Sequence, residues 1–474
     1  MDQSKDCKLF TLYAIAFTSS LGSLIWGYNI SIFNTLRVYL QTTVFPDASD
    51  QSISLIASLL TVGGAFGSIQ AGKYVNQYGR LKTIIWSDLL GIIGCIFCMI
   101  EYLPCMLIGR TIGGFLIGIN GVVISLYNVE MVPVHLKGIM ASISMTFQAA
   151  GIFLSLAAGF IVPEIGNPSQ IWRILFGLPI IFHALRAGVF QYVYHYETPL
   201  YLVMNDKVEE AIRVLKKLYT KNILRHLEKI QKDKEALTLN GNPSMRDMLS
   251  PKYRRAFLVG LFVMAGNQFC GFSPIFMFFN IFIADSAGNN PETISFFATL
   301  MGTVSVIAAI VANMFIERFG RKPLLIYGMG LMCITQTLYA FIGYFFGLEN
   351  SLLKYLIIIW PIFYRISVGT LAYVNAAEVA PSAGVSMIVC SNWVFAFMNV
   401  QSFLPLLNVI GVNGIMIVYA LFEIISVKMY QLHVIESKGR TKGEMLKLYN
   451  EKDCENEKLL SGDYVEMRRI LICK

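Results

Sequence analysis

A Cys-x-x-Cys spacing at Cys95 and Cys98 is the pattern in this chain most like a metal or redox motif. A structural zinc site needs a second pair of ligands, and a thiol redox centre needs contact with water. These two cysteines stand inside an apolar run, so we interpret them as packed free thiols. The chain shows no nucleophile–base pair, metal cluster or phosphate-binding loop, so we expect neither an enzyme nor a bound cofactor.

Ionisable side chains inside other apolar runs are the next candidates for chemistry. Arg110 needs a carboxylate or backbone partner there, so we expect it to face the protein interior. His183 is interpreted as a packed helix residue, and Arg186 as a side chain that extends to the inner membrane interface.

The composition indicates which environment must position these residues. Hydrophobic residues make up 55% of the 474 residues, and charged residues 14%. Since water cannot solvate so much apolar side chain, part of the chain must lie in a lipid bilayer. The net charge of +8 is concentrated in particular loops, so we expect no nucleic-acid partner.

Twelve apolar stretches have about the 20 residues that a spanning helix needs. They predict an all-α membrane protein, and the composition does not predict its oligomeric state. The predicted spans are 9–30, 53–72, 83–103, 105–127, 138–163, 171–194, 256–283, 293–316, 323–346, 352–375, 385–408 and 412–432.

Loop charges predict the orientation of these helices. With a cytosolic N-terminus, most loop Lys and Arg residues fall on the inner side, and the outer loops and helix ends hold only Arg37, Arg173 and Lys354. This asymmetry favours cytosolic positions for both termini. The central segment, 195–255, has thirteen Lys or Arg residues, and its periodicity predicts short amphipathic helices.

An internal repeat divides the chain. Gln77-Tyr-Gly-Arg80 recurs as Arg318-Phe-Gly-Arg321, and Glu130-Met-Val-Pro133 recurs as Glu378-Val-Ala-Pro381. Two parallel six-helix repeats resemble the major facilitator superfamily. The predicted units are an N-terminal half (1–194), a helical linker (195–255), a C-terminal half (256–435) and a cytosolic tail (436–474).

The repeated loops carry charges that predict a gate. Glu317, Arg318 and Arg321 form a predicted cytosolic cluster, to which Arg80 corresponds in the first half. Such clusters either latch the two halves in one state or only fix the topology. Glu130 and Glu378, which follow helices four and ten, belong to the same set of predicted structural residues.

Eight short segments resemble the sugar-porter family, which contains facilitative glucose transporters and proton–sugar symporters. They cover nearly the whole chain and occur in the family's order. They are Gly27-Tyr28-Asn29, Tyr78-Gly79-Arg80, Glu130-Met-Val-Pro133, Glu197-Thr198-Pro199, Asn267-Gln268-Phe269-Cys270-Gly271, Phe319-Gly320-Arg321-Lys322, Ser391-Asn392-Trp393 and Glu436-Ser437-Lys438-Gly439-Arg440-Thr441.

The resemblance implies alternating access around a site near the bilayer midplane. It also implies that amides and a tryptophan bind a sugar or polyol, since amides exchange hydrogen bonds with hydroxyls. The implied contacts are Gln268, Asn392, Trp393 and Asn267, the last in place of the usual Gln. At divergent positions stand Ser273, Ser305, Gln148 and Tyr373.

Other differences concern gating and energetics. Val368 and Thr370 replace the prolines of the tenth helix, so we expect that helix to bend less. Asn29 stands where proton-coupled members have Asp, and because an amide does not titrate, it favours uniport. For Arg365, where many members have Glu, we prefer a structural ion pair with Glu378 or Glu130 over recognition of an anionic substrate.

Three functions remain open from the sequence. The first is facilitative transport of a hexose or related small polyol, by family default in the plasma membrane. The second is transport of another small solute, because Arg365, Met145 and Ser273 reshape the site. The third is a sugar sensor or degenerate paralogue that does not transport.

Overall fold

The computed structural model describes residues 7–133, 136–161, 168–239, 243–438, 440 and 444–450. Most of the predicted tail lies outside these ranges. In the described part the backbone is almost entirely helical, as a bilayer requires, because a helix satisfies its own backbone hydrogen bonds.

The first seven helices supply six membrane spans and are called the N-terminal group. The last two, α6 and α7, follow each other closely and together form the sixth span. The helices are α1 (Leu9–Tyr39, continued by a π-helical turn, Leu40–Val44), α2 (Asp50–Tyr78), α3 (Arg80–Cys98), α4 (Leu103–Glu130), α5 (Lys137–Ile161), α6 (Pro168–Gly177) and α7 (Pro179–Tyr192).

Three helices and one 3₁₀ turn follow outside the spans. They are α8 (Pro199–Met204), α9 (Val208–Leu218), α10 (Ile223–Leu239) and the 3₁₀ turn Arg246–Leu249. α9 and α10 lie where the charge periodicity predicted amphipathic helices. The backbone N–H of Lys8 donates to the carbonyl of Leu218 at 2.9 Å, so the start of the chain contacts this segment.

The remaining helices supply six further spans and are called the C-terminal group. The seventh span begins with α11 and ends in short helices, and the tenth consists of α16 and α17. The helices are α11 (Pro251–Phe269), α12 (Phe272–Met277), α13 (Phe279–Ile283), α14 (Pro291–Phe319), α15 (Arg321–Phe345), α16 (Leu352–Ile366), α17 (Val368–Val379) and α18 (Ser382–His433).

α18 contains two spans. Its 52 residues are about twice the length that crosses a bilayer, and Gly411 interrupts it with non-helical backbone angles of φ 68° and ψ 178°. By length and composition the described residues contain eleven candidate spans, one of which is the long segment Ala383–His433, and dividing that segment at Gly411 gives twelve. The expectation of a twelve-helix all-α membrane protein is confirmed.

Glycines bring α2 and α4 into close contact. A Cβ atom at Gly114 would lie 2.0 Å from the carbonyl oxygen of Leu60, and one at Gly118 would lie 2.1 Å from that of Gly64. Small residues four apart, such as Gly114 and Gly118, let neighbouring helices approach each other this closely. The N-terminal and C-terminal groups meet where α5 packs on α14 and α2 packs on α18.

The tenth span is broken despite the absence of the family's prolines. Ser367 separates α16 from α17, with φ −106° and ψ −123°. The hydroxyl of Thr370 donates to the carbonyl of Arg365 at 2.8 Å, so a carbonyl freed near the break keeps a partner. The tenth span is therefore interrupted although Val368 and Thr370 stand where prolines were expected, and the smaller bend of this span stays a prediction.

Candidate functional site

Five of the predicted sugar contacts form one hydrogen-bonded cluster in the C-terminal group. The Oδ1 of Asn392 accepts from Asn267 Nδ2 at 3.0 Å and from Gln268 Nε2 at 2.9 Å. Its Nδ2 donates to the hydroxyl of Tyr373 at 3.0 Å, and the hydroxyl of Ser273 donates to Gln268 Oε1 at 2.6 Å. This set, the amide cluster, joins α11, α12, α17 and α18.

An aromatic contact covers the amide cluster from the N-terminal group. The ring of Trp393 lies 5.6 Å from that of Trp26, and Trp26 lies 5.4 Å from the ring of Tyr373. Trp393 also packs over Gly64, where an added Cβ would lie 2.5 Å from the indole. The indole Nε1 atoms of Trp26 and Trp393 are buried and have no hydrogen-bond partner among the described residues. Two flat apolar faces with free donors therefore lie where the two groups of helices meet.

The remaining two predicted sugar contacts, Ser305 and Gln148, form a second cluster with Arg365 beside the first. Arg365 donates from Nε to the hydroxyl of Ser305 at 3.0 Å, and from Nη1 to Oε1 of Gln148 at 2.7 Å. The guanidinium carbon lies 5.5 Å from the ring centre of Tyr364. The Tyr364 hydroxyl donates to Asn267 Oδ1 at 2.9 Å, which links this cluster to the amide cluster. The predicted contact residues thus lie together, all of them buried.

The preferred ion pair of Arg365 with Glu378 or Glu130 is absent. Glu130 pairs with Arg80, and Glu378 pairs with Arg321. Those carboxylates lie at the ends of their own helices, next to the repeated loops, so they are already neutralised there. The partners of Arg365 among the described residues are an amide, a hydroxyl and an aromatic ring, all uncharged.

Arg110 faces the interior, as its position in an apolar run predicts. It donates from Nε to the carbonyl of Ile56 at 2.9 Å, and from Nη1 to the carbonyl of Asn29 at 3.0 Å. The side-chain oxygen of Asn29 lies 3.4 Å from the same Nη1. The side chain beside this arginine is therefore an amide, which does not titrate.

The interpretation of Arg186 as a side chain reaching the membrane interface is wrong. Its side chain is fully buried and donates from Nη2 to Asp88 at 2.6 Å and to Asn120 at 3.1 Å. His183 also contacts the Asp88 carboxylate, at 2.7 Å from Nδ1. Asp88 neutralises Arg186, so neither charge needs water.

The repeated loops build two matching charge clusters. In the first, Arg80 donates to Glu130 at 2.8 Å, and Thr198 donates to the same carboxylate at 2.6 Å. Glu197 accepts from the backbone N–H groups of Arg80 and Leu81. The first cluster thus fastens the start of α3 to the ends of α4 and α7.

The second cluster repeats this arrangement. Arg321 donates to Glu378 at 3.2 Å, and Ser437 donates to the same carboxylate at 2.5 Å. Glu436 accepts from the backbone N–H groups of Arg321 and Lys322. The contacts described for each cluster join elements of one half only.

Of the other predicted gate residues, Arg318 takes no part in the described ion pairs of these clusters. Arg318 is exposed, with its guanidinium carbon 5.6 Å from the ring centre of Phe319, and its carbonyl accepts from Lys438 Nζ at 3.1 Å. The side chain of Glu317 lies outside the described residues.

The two clusters differ in the ionisation of their buried acids. Burial raises the pKa of Glu197, and the donations from backbone N–H groups and Arg80 oppose the rise without cancelling it. Burial also acts on Glu436, but donations from the backbone of Arg321, Lys438 and Lys322 lower its pKa below the ordinary value. The same motif therefore disfavours the ionised form of Glu197 in the first half and favours the ionised form of Glu436 in the second.

Comparison with known proteins identifies the family. A family model described as "Sugar (and other) transporter" matches residues 15–449. The chain belongs to this family. This sugar transporter is 26% identical over 460 residues to the glucose transport protein of Synechocystis, covering 91% of this chain and 96% of that protein. It is 24% identical to facilitated glucose transporter member 3 of Oryctolagus cuniculus, covering 97% of each.

A solved structure agrees with the fold of this sugar transporter. The proton:xylose symporter XylE, bound to 6-bromo-6-deoxy-D-glucose, superposes with a TM-score of 0.80 at 20% identity. The match covers 92% of this chain and 99% of XylE. The chain is therefore a multi-pass membrane protein with the major facilitator fold.

Sequence reasoning missed several residues that complete the site of this sugar transporter. Trp26 and Tyr364 each stand next to a residue that the sequence did select, Gly27 and Arg365 respectively, but no spacing rule places their rings in the site. Asp88 had a signal, since a carboxylate in an apolar run needs a partner. That rule, applied to Asp88 and Arg186 together, would have found their ion pair.

Proposed function

We propose that this sugar transporter carries a hexose or a related small polyol down its gradient by alternating access. The observation that carries the proposal is the amide cluster centred on Asn392, lying beside the indole of Trp393. Amides and hydroxyls both donate and accept, so they match the hydroxyls of a sugar ring, and an indole matches its apolar face.

The amides of this cluster now satisfy one another. A bound sugar would replace these internal hydrogen bonds with hydrogen bonds to its hydroxyls, so that no buried polar atom is left without a partner. The replaced bonds join Asn392 on α18 to Asn267 on α11 and Tyr373 on α17. Occupancy of the site would therefore change how these three helices are held together, which is what a transport cycle requires.

Uniport is part of this proposal. The side chain beside Arg110 is Asn29, which neither gains nor loses a proton across the physiological range. A carboxylate at this place would supply a titratable partner for the arginine. An amide supplies none, and this supports transport that a proton gradient does not drive.

The location and the unit boundaries also belong to the proposal. Both charge clusters draw on segments that follow spanning helices, Glu197 before α8 and Glu436 after α18. The contact of Lys8 with Leu218 brings the start of the chain to the same side as α9. We place this side in the cytosol, the linker at 195–255 between two six-helix halves, and the protein in the plasma membrane.

Uptake of labelled D-glucose into proteoliposomes tests the proposal, with and without a pH gradient. We expect saturable uptake that the gradient does not change. Trp393→Ala should lower the uptake by about tenfold or more, because losing about 1.4 kcal/mol of binding is a tenfold change. Trp86→Ala is the matched control, since Trp86 is 68% exposed on α3 and should leave uptake unchanged.

Three results would contradict the proposal in different ways. Accumulation driven by the pH gradient would refute uniport. Equal losses in the two tryptophan variants would show that Trp393 is not part of the site. Absence of uptake for every sugar, in protein with a cooperative unfolding transition, would indicate a sensor or a degenerate paralogue.

A further inference from the structure

Arg365 is a buried positive charge whose neighbours leave part of it free. It stands at the end of α16, beside the break at Ser367, and its side chain is fully buried. Ser305 and Gln148 occupy Nε and Nη1. Nη2, by contrast, is buried and has no hydrogen-bond partner among the described residues. The N–H groups of Nη2 are therefore available to donate to a bound ligand.

No described carboxylate balances this charge. Among the titratable side chains of the described residues, Tyr364 is the one close enough to act on it. The buried Asp88, Glu130 and Glu378 are paired with other arginines. A buried charge with neither a counter-ion nor a full set of hydrogen bonds is strongly unfavourable unless a ligand supplies them.

The free donor lies within the candidate sugar site. Gln148 comes from α5 of the N-terminal group, and Ser305 and Arg365 come from the C-terminal group, so the guanidinium lies where the two groups meet. Tyr364 connects it to Asn267 of the amide cluster. A ligand held between the groups could therefore contact Nη2 and the amides at once.

We propose that the preferred substrate is a monosaccharide acid, with a sugar ring for the amide cluster and one carboxylate for Arg365. This inference rests on the proposed function and names its substrate class. A carboxylate is a strong, charge-assisted acceptor for a guanidinium. One negative charge neutralises one arginine, whereas the dianion of a sugar phosphate would leave a negative charge in the membrane interior. A neutral hexose would leave the arginine charge unbalanced.

Uptake of labelled D-glucuronate and D-galacturonate, compared with D-glucose in the same proteoliposomes, tests the substrate class. We expect the wild type to take up at least one uronate with a KM about tenfold or more below that for glucose, as a charge-assisted hydrogen bond implies. Arg365→Gln should raise the uronate KM by about tenfold to a hundredfold, and by a much larger factor than it changes the glucose KM. Arg365→Lys, which keeps the charge, should fall between these values.

Arg173→Gln is the matched control for the loss of one positive charge. Arg173 pairs with Glu101 on the surface, so its removal should leave the preference for uronate unchanged. Because uniport of an anion moves charge, an inside-positive potential set with potassium and valinomycin should speed uronate uptake in the wild type. Glucose uptake should not respond to it.

The outcomes separate this inference from the proposed function. Saturable glucose uptake that uronates neither share nor inhibit would overturn the inference while the proposed function stands. An unchanged uronate KM in Arg365→Gln would also overturn it. Absence of uptake for both classes in folded protein would overturn both. If Arg365→Gln does not fold, the wild-type preference and its response to potential still decide the matter.

Discussion

Arg186 and Arg365 are both fully buried inside helix groups, yet their surroundings differ. Arg186 meets the carboxylate of Asp88 and the amide of Asn120, so its charge is neutralised within the protein. Arg365 meets uncharged groups, and its Nη2 has no hydrogen-bond partner in the part of the chain that the structure describes. A buried arginine whose charge and N–H donors are satisfied by the protein has a structural role. A buried arginine in a candidate site that lacks a counter-ion and an acceptor indicates a ligand.

The largest effect that would test this contrast is on stability. Arg186→Gln leaves Asp88 buried without its counter-ion, and we expect a loss of about 3–5 kcal/mol in the free energy of unfolding. The measurement is thermal and denaturant unfolding in detergent. Arg365→Gln removes a charge that has no counter-ion, so it should cost far less or even stabilise the protein.

A double variant is the control for this prediction. Asp88→Asn combined with Arg186→Gln removes both charges, so it should recover a large part of the stability lost in Arg186→Gln. Arg173→Gln, at an exposed pair, should change stability by about 1 kcal/mol or less. If Arg365→Gln proved as damaging as Arg186→Gln, the contrast between the two arginines would be wrong.

An intermediate effect on stability is expected at the two loop clusters, which have the same arrangement of hydrogen bonds in both halves. Glu130→Gln and Glu378→Gln each weaken one arginine pair. The Glu130 side chain is 9% exposed and that of Glu378 is 28% exposed. Because water screens the more exposed pair, Glu130→Gln should destabilise the protein more. Unfolding of both variants under one condition checks this order, and a larger loss in Glu378→Gln would refute it.

The smallest effect concerns pH and again compares the halves. The raised pKa of Glu197 gives stability that is fully present below the unfolded pKa, about 4.3, and lost as pH rises through the folded value. The lowered pKa of Glu436 gives stability that is present above about pH 4.3 and lost as pH falls through the folded value.

Melting temperatures from about pH 7 to about pH 3, which extends below the ordinary pKa of a glutamate, would show this difference. As the pH falls, the wild type should gain stability relative to Glu197→Gln and lose it relative to Glu436→Gln. Parallel pH curves for the wild type and both variants would contradict the opposite shifts of the two carboxylates.

Much of the fold could be predicted because it depends on local and repeated features. Apolar run length gave the spans, and the repeat at Arg80 and Arg321 located two loops whose geometry is nearly the same, with Gly79 at φ 91° and Gly320 at φ 87°. The break at Ser367 could not be predicted this way, because neither an apolar run nor the internal repeat indicates a break, and neither Ser367 nor its two neighbours is a proline.

The sequence predicted which residues lie in the candidate site, but it did not predict which of their side chains contact each other. Asn267, Gln268 and Asn392 were chosen from motifs, and the structure brings them together, but their use as sugar contacts stays a prediction. The partner of Arg365 was predicted wrongly, because the choice among distant carboxylates depends on tertiary packing. A charge on one membrane helix is usually balanced by a side chain on another helix, and the sequence of the first helix does not show which helix that is.

Counterflow of labelled sugar tests the central claim of sugar carriage by alternating access most directly. Proteoliposomes are loaded with a high concentration of the unlabelled sugar or uronate and diluted into a trace of the same labelled compound. The account predicts a transient accumulation of label above equilibrium, which Trp393→Ala abolishes and Trp86→Ala preserves. Label that only equilibrates, or does not enter vesicles containing folded protein, would contradict it.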